Sequence, residues 1–129
     1  MITFWGEVNA VVDANGRVSL PSMFRDALPE NEKRFMLVIS GSCLLLYRIS
    51  DFEELVASKL EEDKIAAASK NAQVVVLDEK QNRFLLPKKF KERAKIDKDV
   101  VFLGTKRKIR IYAAEVYAAQ SFGEYEYAL

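Results

Sequence analysis

Histidine is absent from these 129 residues, and cysteine occurs once, at position 43. Without those ligands the usual zinc and copper sites cannot be built within one chain. Histidine acid–base chemistry and the Ser-His-Asp and Cys-His arrangements are excluded with them. A lone cysteine also excludes an internal disulfide and fits a reducing cytoplasm. In Cys43-Leu-Leu-Leu-Tyr47 it reads as a small buried hydrophobe rather than a reactive thiol. Glycine is sparse and scattered singly at 6, 16, 41, 104 and 123, so there is no Gly-rich phosphate loop. No apolar run approaches the ~18 residues of a membrane span. The opening Met-Ile-Thr-Phe-Trp lacks the basic and apolar regions of a secretory signal. The chain is therefore expected to have no catalytic set, metal or cofactor, no small-molecule substrate and no membrane partner.

Core material is plentiful, since half the residues are hydrophobic. This length suits one compact domain, or two small halves sharing a core. Net charge is only +1, which would argue against a nucleic-acid partner if it were evenly spread. It is not. Residues 78–112 hold 12 Lys/Arg against 5 Asp/Glu, and the remainder holds 8 against 14. Such segregation can set a basic face against an acidic one.

The chain also repeats itself. Asp13-Ala-Asn-Gly-Arg-Val-Ser-Leu-Pro21 is echoed by Glu79-Lys-Gln-Asn-Arg-Phe-Leu-Leu-Pro87, and Phe24-Arg25 by Phe90-Lys91, at a constant offset of 66 residues. A repeat of this kind sets the architecture before any other reading. Around it, the alternation from Thr3 to Val12 predicts a half-buried strand. Asn15-Gly16 predicts a hairpin turn, with Val18–Leu20 as its return strand. Pro21 is placed at the first position of a helix with Met23, Phe24, Ala27 and Leu28 on its apolar face. Residues 35–40 and 43–49 read as a second hairpin around Gly41. Ser50-Asp-Phe-Glu53 matches a capping box, with Ser50 as N-cap. The helix that follows carries Phe52, Leu55, Val56 and Leu60 on one face, and residues 65–69 read as a further, alanine-rich helix.

The second half repeats the order. Strands are expected at 72–77 and 84–86 around a turn at 79–82, then a helix from Pro87 carrying Phe90 and Ala94. Strands at 100–103 and 109–112 flank the basic turn Thr105–Lys108, and a helix covers about 113–120. The tail, 121–129, is acidic and aromatic and is expected to order only against a neighbour. A unit of some 60 residues with so few strands is marginal alone. One interleaved domain is therefore expected, with a first half at 1–62 and a second at 73–120.

On these residues the chain resembles the MraZ family of bacterial transcriptional regulators, whose fold is related to AbrB. The resemblance rests on Phe4-Trp-Gly-Glu7, the signature Asp13-Ala-Asn-Gly-Arg17 with Leu20-Pro21 and Phe24-Arg25, Cys43–Tyr47 and the helix from Ser50. It covers nearly the whole chain. It implies an α+β fold, a duplicated swapped-hairpin β-barrel core with pseudo-twofold symmetry and flanking helices. It further implies ring-shaped homo-oligomers that bind closely spaced short repeats in double-stranded DNA at a cell-division and cell-wall operon. Such a protein is expected in the cytoplasm, at the nucleoid. The second copy departs from the family pattern: Glu79 and Asn82 replace the expected Asp and Gly, Arg83 is retained, and Asp78 precedes them. The segment around 61–72 is also shorter than usual in the family. Asn is the non-glycine residue best suited to a left-handed turn.

An arginine just past a tight turn can reach phosphate, or donate two hydrogen bonds to guanine in a major groove. Arg17 and Arg83 are thus the DNA-contact candidates. Gly16 and Asn82 permit the turn conformation, and Asn15 and Lys80 flank it within reach of phosphate or base edges. Asp13 and Glu79 are expected to orient the arginines or cap turn N–H groups, since a carboxylate facing phosphate is repelled. Lys88, Lys89, Lys106, Arg107 and Lys108 are sequence-independent candidates. Phe4 and Trp5 read as core or subunit contacts, and the acidic helix Asp51–Asp63 as a solvated face turned away from DNA. The competing functions are an oligomeric scaffold with lost or weakened DNA binding and an AbrB-like antitoxin.

Overall fold

The computed structural model describes residues 1–59 and 61–120. Leu60 and the tail at 121–129, for which expectations were set above, lie outside the described residues. The chain is α+β. In order it forms β1 (Phe4–Val11), β2 (Arg17–Ser19), α1 (Ser22–Arg25), β3 (Arg34–Ser40), β4 (Cys43–Arg48), α2 (Ile49–Lys59) and α3 (Glu62–Lys70). There follow β5 (Ala72–Val76), β6 (Arg83–Leu85), α4 (Lys88–Arg93), β7 (Asp99–Lys106), β8 (Lys108–Ala113) and α5 (Ala114–Ala119). Among the described residues no helix is long and apolar enough to cross a membrane.

Six strands make one sheet in the order β1-β7-β8-β4-β3-β5, and β2 and β6 make a separate two-stranded ribbon. All the described pairings are antiparallel. The alternation of β1 survives folding: Phe4 is buried while Trp5, Glu7, Asn9 and Val11 are exposed. Phe35, Leu37, Leu44, Leu46, Phe102, Ile109 and Ile111 supply the core from the sheet, and Val18, Leu20, Phe24, Phe84, Leu86 and Phe90 from the ribbon and its two short helices. Burying a side chain of that size contributes about 1.5–3 kcal/mol. Phe4 and Phe24 meet edge to face, with ring centroids 6.0 Å apart.

The strand after Asn15-Gly16 does not return along β1. The turn itself forms, with the Gly16 N–H donating to Asp13 O and the Asp13 N–H to Arg17 O. However, β1 pairs with β7, and β2 pairs with β6 in the other copy. Three smaller expectations are also corrected. Ser50 lies inside α2, which begins at Ile49, so it does not cap that helix. Pro21 and Pro87 are the residues before α1 and α4 rather than their first helical positions, both with extended ψ. Met23 and Ala27 are exposed, and only Phe24 and Leu28 of the expected apolar face are buried.

Contacts recur in equivalent pairs across the two copies. Leu20 N–H donates to Asn82 O and Leu86 N–H to Gly16 O, both at 2.9 Å. Val12 N–H donates to Lys98 O, and Leu77 N–H to Lys33 O, both at 2.8 Å. Tyr47 packs on Phe52 as Tyr112 packs on Tyr117. In these pairs the offset is 66 residues at Gly16 and Leu20, but 65 at Val12 before them and at Lys33, Tyr47 and Phe52 after them. The second turn therefore holds one extra residue, between Asp78 and Arg83.

Candidate nucleic-acid interface

Three residues on each side build the ribbon: Arg17 pairs with Leu85, Val18 with Phe84 and Ser19 with Arg83. Val18 and Phe84 point into the core. Period two then turns Arg17, Ser19, Arg83 and Leu85 outward, and the two arginines lie diagonally across the ribbon. The symmetric bonds from Leu20 and Leu86 lock a turn to each end of it.

The first turn is held by one carboxylate. Asp13 Oδ1 accepts the N–H groups of Asn15 and Arg17, each at 2.9 Å. The Arg17 N–H chiefly holds the Asp13 carboxyl below its usual range; burial opposes this, and the Asn15 N–H and the charges of Arg83 and Arg17 reinforce it. Gly16 has φ +81°, a left-handed conformation that costs a residue with a Cβ about 1–2 kcal/mol. Asn15 and Arg17 are exposed. The Arg17 guanidinium makes no ion pair or hydrogen bond among the described residues.

In the second turn the carboxylate is Asp78, not Glu79. Asp78 Oδ1 accepts the Gln81 N–H at 2.8 Å and the Arg83 N–H at 3.4 Å. The Gln81 N–H chiefly lowers its carboxyl below the usual range; burial opposes this, and the Arg83 N–H, side-chain bond and charge reinforce it. The extra residue explains the correction: Asp78 stands where Asp13 stands, and Gln81 where Asn15 does. Glu79 is exposed and lines a polar cleft of 420 Å³ with Arg25, Lys33 and Asn82. Asn82 matches Gly16, with φ +52°. Lys80 is exposed at the turn. Gln81, also exposed, is a further candidate not named above; it stands two residues before Arg83 as Asn15 stands two before Arg17, so the 66-residue offset alone points to it.

The two arginines differ. Arg83 donates its Nε–H to Asp78 Oδ2 at 3.1 Å and an Nη1–H to Asp13 Oδ2 at 3.4 Å, so it bridges the two turns. Arg25 adds a second bridge. It is buried, and donates Nε–H to Asn82 Oδ1 at 3.2 Å and its terminal N–H groups to the carbonyls of Pro29 and Glu30. Its counterpart Lys91 brings Nζ to 3.7 Å from where a Cβ on Gly16 would stand.

The weaker basic candidates are scattered. Lys88 faces Glu92 at 4.0 Å, and Lys89 donates to the carbonyl of Lys70. Lys106 is exposed and Lys108 half-buried. Arg107 is held by α2, through Asp51 Oδ1 at 2.5 Å and Glu54 Oε2 at 2.8 Å. Those bonds, led by Glu54, raise its pKa. Part of the acidic helix therefore faces the basic β7–β8 turn rather than solvent. Phe4 is core and Trp5 is exposed.

The chain matches the family model described as "MraZ protein, putative antitoxin-like" twice, over residues 3–75 and 69–125. A protein of Lachnoclostridium phytofermentans named transcriptional regulator MraZ is 32% identical, with 92% of this chain and 87% of the relative covered. A protein of the same name from Thermoanaerobacter sp. is 32% identical over 90% of this chain and 85% of its own. One from Acetivibrio thermocellus is 33% identical over 94% and 88%. These relatives are named as regulators, not as enzymes.

Proposed function

Because the chain belongs to the MraZ family, we propose that it is a DNA-binding transcriptional regulator whose reading surface is the outward face of the β2–β6 ribbon with its two turns. The observation that carries this reading is the Arg17 guanidinium, exposed and unpaired among the described residues while its own N–H is pinned by Asp13. A two-stranded ribbon fits a B-DNA major groove, where an arginine can donate two hydrogen bonds to guanine. Asn15, Lys80 and Asn82 flank the same surface, with Gly16 setting the turn, and Arg83 lies beside them. Asp13 supports the turn rather than touching the nucleic acid.

One bidentate contact discriminates by about 1–3 kcal/mol, too little for a specific regulator. Assembly multiplies it: a ring of subunits would present the ribbon repeatedly to closely spaced promoter boxes and gain by avidity. Within each subunit, halves at 1–62 and 73–120 form one interleaved, pseudo-twofold, swapped-hairpin unit. The proposed targets are boxes upstream of a cell-division and cell-wall operon.

The test is fluorescence anisotropy on a duplex that the full chain selects from a randomised pool. Binding should weaken as salt rises, by roughly 0.9 in the log–log slope for each phosphate neutralised. Arg17→Ala should lower affinity about 10-fold to 100-fold with an unchanged circular-dichroism spectrum. Retained affinity would remove Arg17 from the reading surface. A large assembly in light scattering with no duplex bound at low salt would favour the scaffold.

A further inference from the structure

The repeat gives Arg17 and Arg83 the same place in the ribbon, yet their surroundings differ. We infer that Arg83 is a positioning residue: it ties the Asp13 turn to the Asp78 turn, so presenting Arg17, and does not itself contact DNA. This rests on the DNA-reading role proposed above.

Three observations carry it. Arg83 already spends Nε–H on Asp78 Oδ2 and Nη1–H on Asp13 Oδ2, whereas bidentate recognition of guanine or phosphate needs a free fork of two parallel donors. Each carboxylate it grips also holds turn N–H groups with its other oxygen, those of Asn15 and Arg17 on one side and Gln81 and Arg83 on the other. The guanidinium is thus the tie between two self-capped turns. Finally, the two carboxylates offset the charge of the Arg83 guanidinium itself, so it attracts phosphate less than the unpaired Arg17 does.

The experiment measures Kd at fixed salt for the wild-type chain, Arg17→Gln, Arg83→Gln, the double variant and Asp13→Asn, all on the duplex selected by the wild type. Arg83→Gln should weaken binding about threefold to tenfold, what two exposed ion pairs are worth. It should select the same bases at every position as the wild type. Arg17→Gln should cost about 10-fold to 100-fold. Since Arg83 acts through Arg17, the double variant should lie within about twofold of Arg17→Gln.

Asp13→Asn supplies a second route that leaves Arg83 in place and keeps an oxygen for the turn N–H groups. It should weaken binding by about as much as Arg83→Gln. If Arg83 instead reads DNA, removing its internal competitor tightens binding. Tightening by Asp13→Asn, or multiplying effects of Arg17→Gln and Arg83→Gln, overturns the inference while leaving the DNA-reading proposal standing. An Arg17→Gln variant that binds like the wild type overturns both.

Discussion

Arg25, in the first copy, donates its Nε–H to Asn82 Oδ1 in the second at 3.2 Å. The guanidinium is buried, and the acceptors it reaches are neutral: one side-chain carbonyl and the backbone carbonyls of Pro29 and Glu30. A cation held this way fixes geometry, because its acceptors join two separate segments: the consecutive carbonyls of Pro29 and Glu30 after α1, and Asn82 in the second turn.

Replacing Arg25 by Met keeps much of the apolar stem and removes three donors. Hydrogen bonds to a charged group are worth about 1.5–3 kcal/mol each at most, and neighbours partly compensate. The expected loss is about 2–3 kcal/mol in urea unfolding with an unchanged m-value. A loss below about 0.5 kcal/mol, the usual range for surface substitutions, would show that the bridge is incidental.

Asn82 combines two demands that the first turn separates. Its φ of +52° favours glycine, and its side chain accepts from Arg25. Asn82→Ala loses both advantages and should cost about 2 kcal/mol. Asn82→Gly regains the backbone freedom and should cost about 1 kcal/mol. If the two variants unfold at the same urea concentration, backbone conformation contributes nothing at this site.

Asp13 and Asp78 both have folded pKa values below the ordinary 3.8. A carboxyl depressed in the folded state binds fewer protons there than in the unfolded chain, so its contribution to stability is fully present above about 3.8 and fades as pH falls through the folded value. The turns should therefore stay ordered at pH 4 and loosen below it. Backbone N–H resonances of Arg17 and Gln81, followed by NMR, should titrate with midpoints below 3.8. Midpoints above that value would contradict the capping bonds.

Much of the sheet was legible because its signal is local. Alternation marked β1, apolar runs bounded by Gly41 marked β3 and β4, and the Leu-Pro and Phe echoes marked the ribbon and its helices. Partner choice was not legible. Three residues such as Arg17–Ser19 read as a strand, but nothing local says that they pair with Arg83–Leu85 rather than with β1. The candidate site was legible at Asp13, Gly16 and Arg17, where turn chemistry and spacing agree. It misled at Glu79, because a constant offset of 66 conceals one inserted residue that only the hydrogen bonds of Asp78 expose. The ion pairs of Arg83 and Arg107 were invisible for a related reason: Asp13 and Asp51 lie 70 and 56 residues away in sequence.

Arg107 tests how much of the basic segment is available to DNA. It lies between the exposed Lys106 and the half-buried Lys108, and by composition alone it belongs to a cationic turn. Its Nη2 is nevertheless shared between Asp51 and Glu54. A side chain already neutralised by two carboxylates displaces no counterion from phosphate, so it adds nothing to the salt dependence of binding. Arg107→Gln should leave the slope of log K against log salt unchanged, whereas Lys80→Gln should make it shallower by about 0.9, the share of one phosphate. Neutralising both carboxylates, Asp51→Asn with Glu54→Gln, releases the guanidinium and should steepen the slope by up to about the same amount if the β7–β8 turn lies within reach of the duplex. A shallower slope for Arg107→Gln alone would mean that the guanidinium leaves α2 on binding and that the turn belongs to the interface.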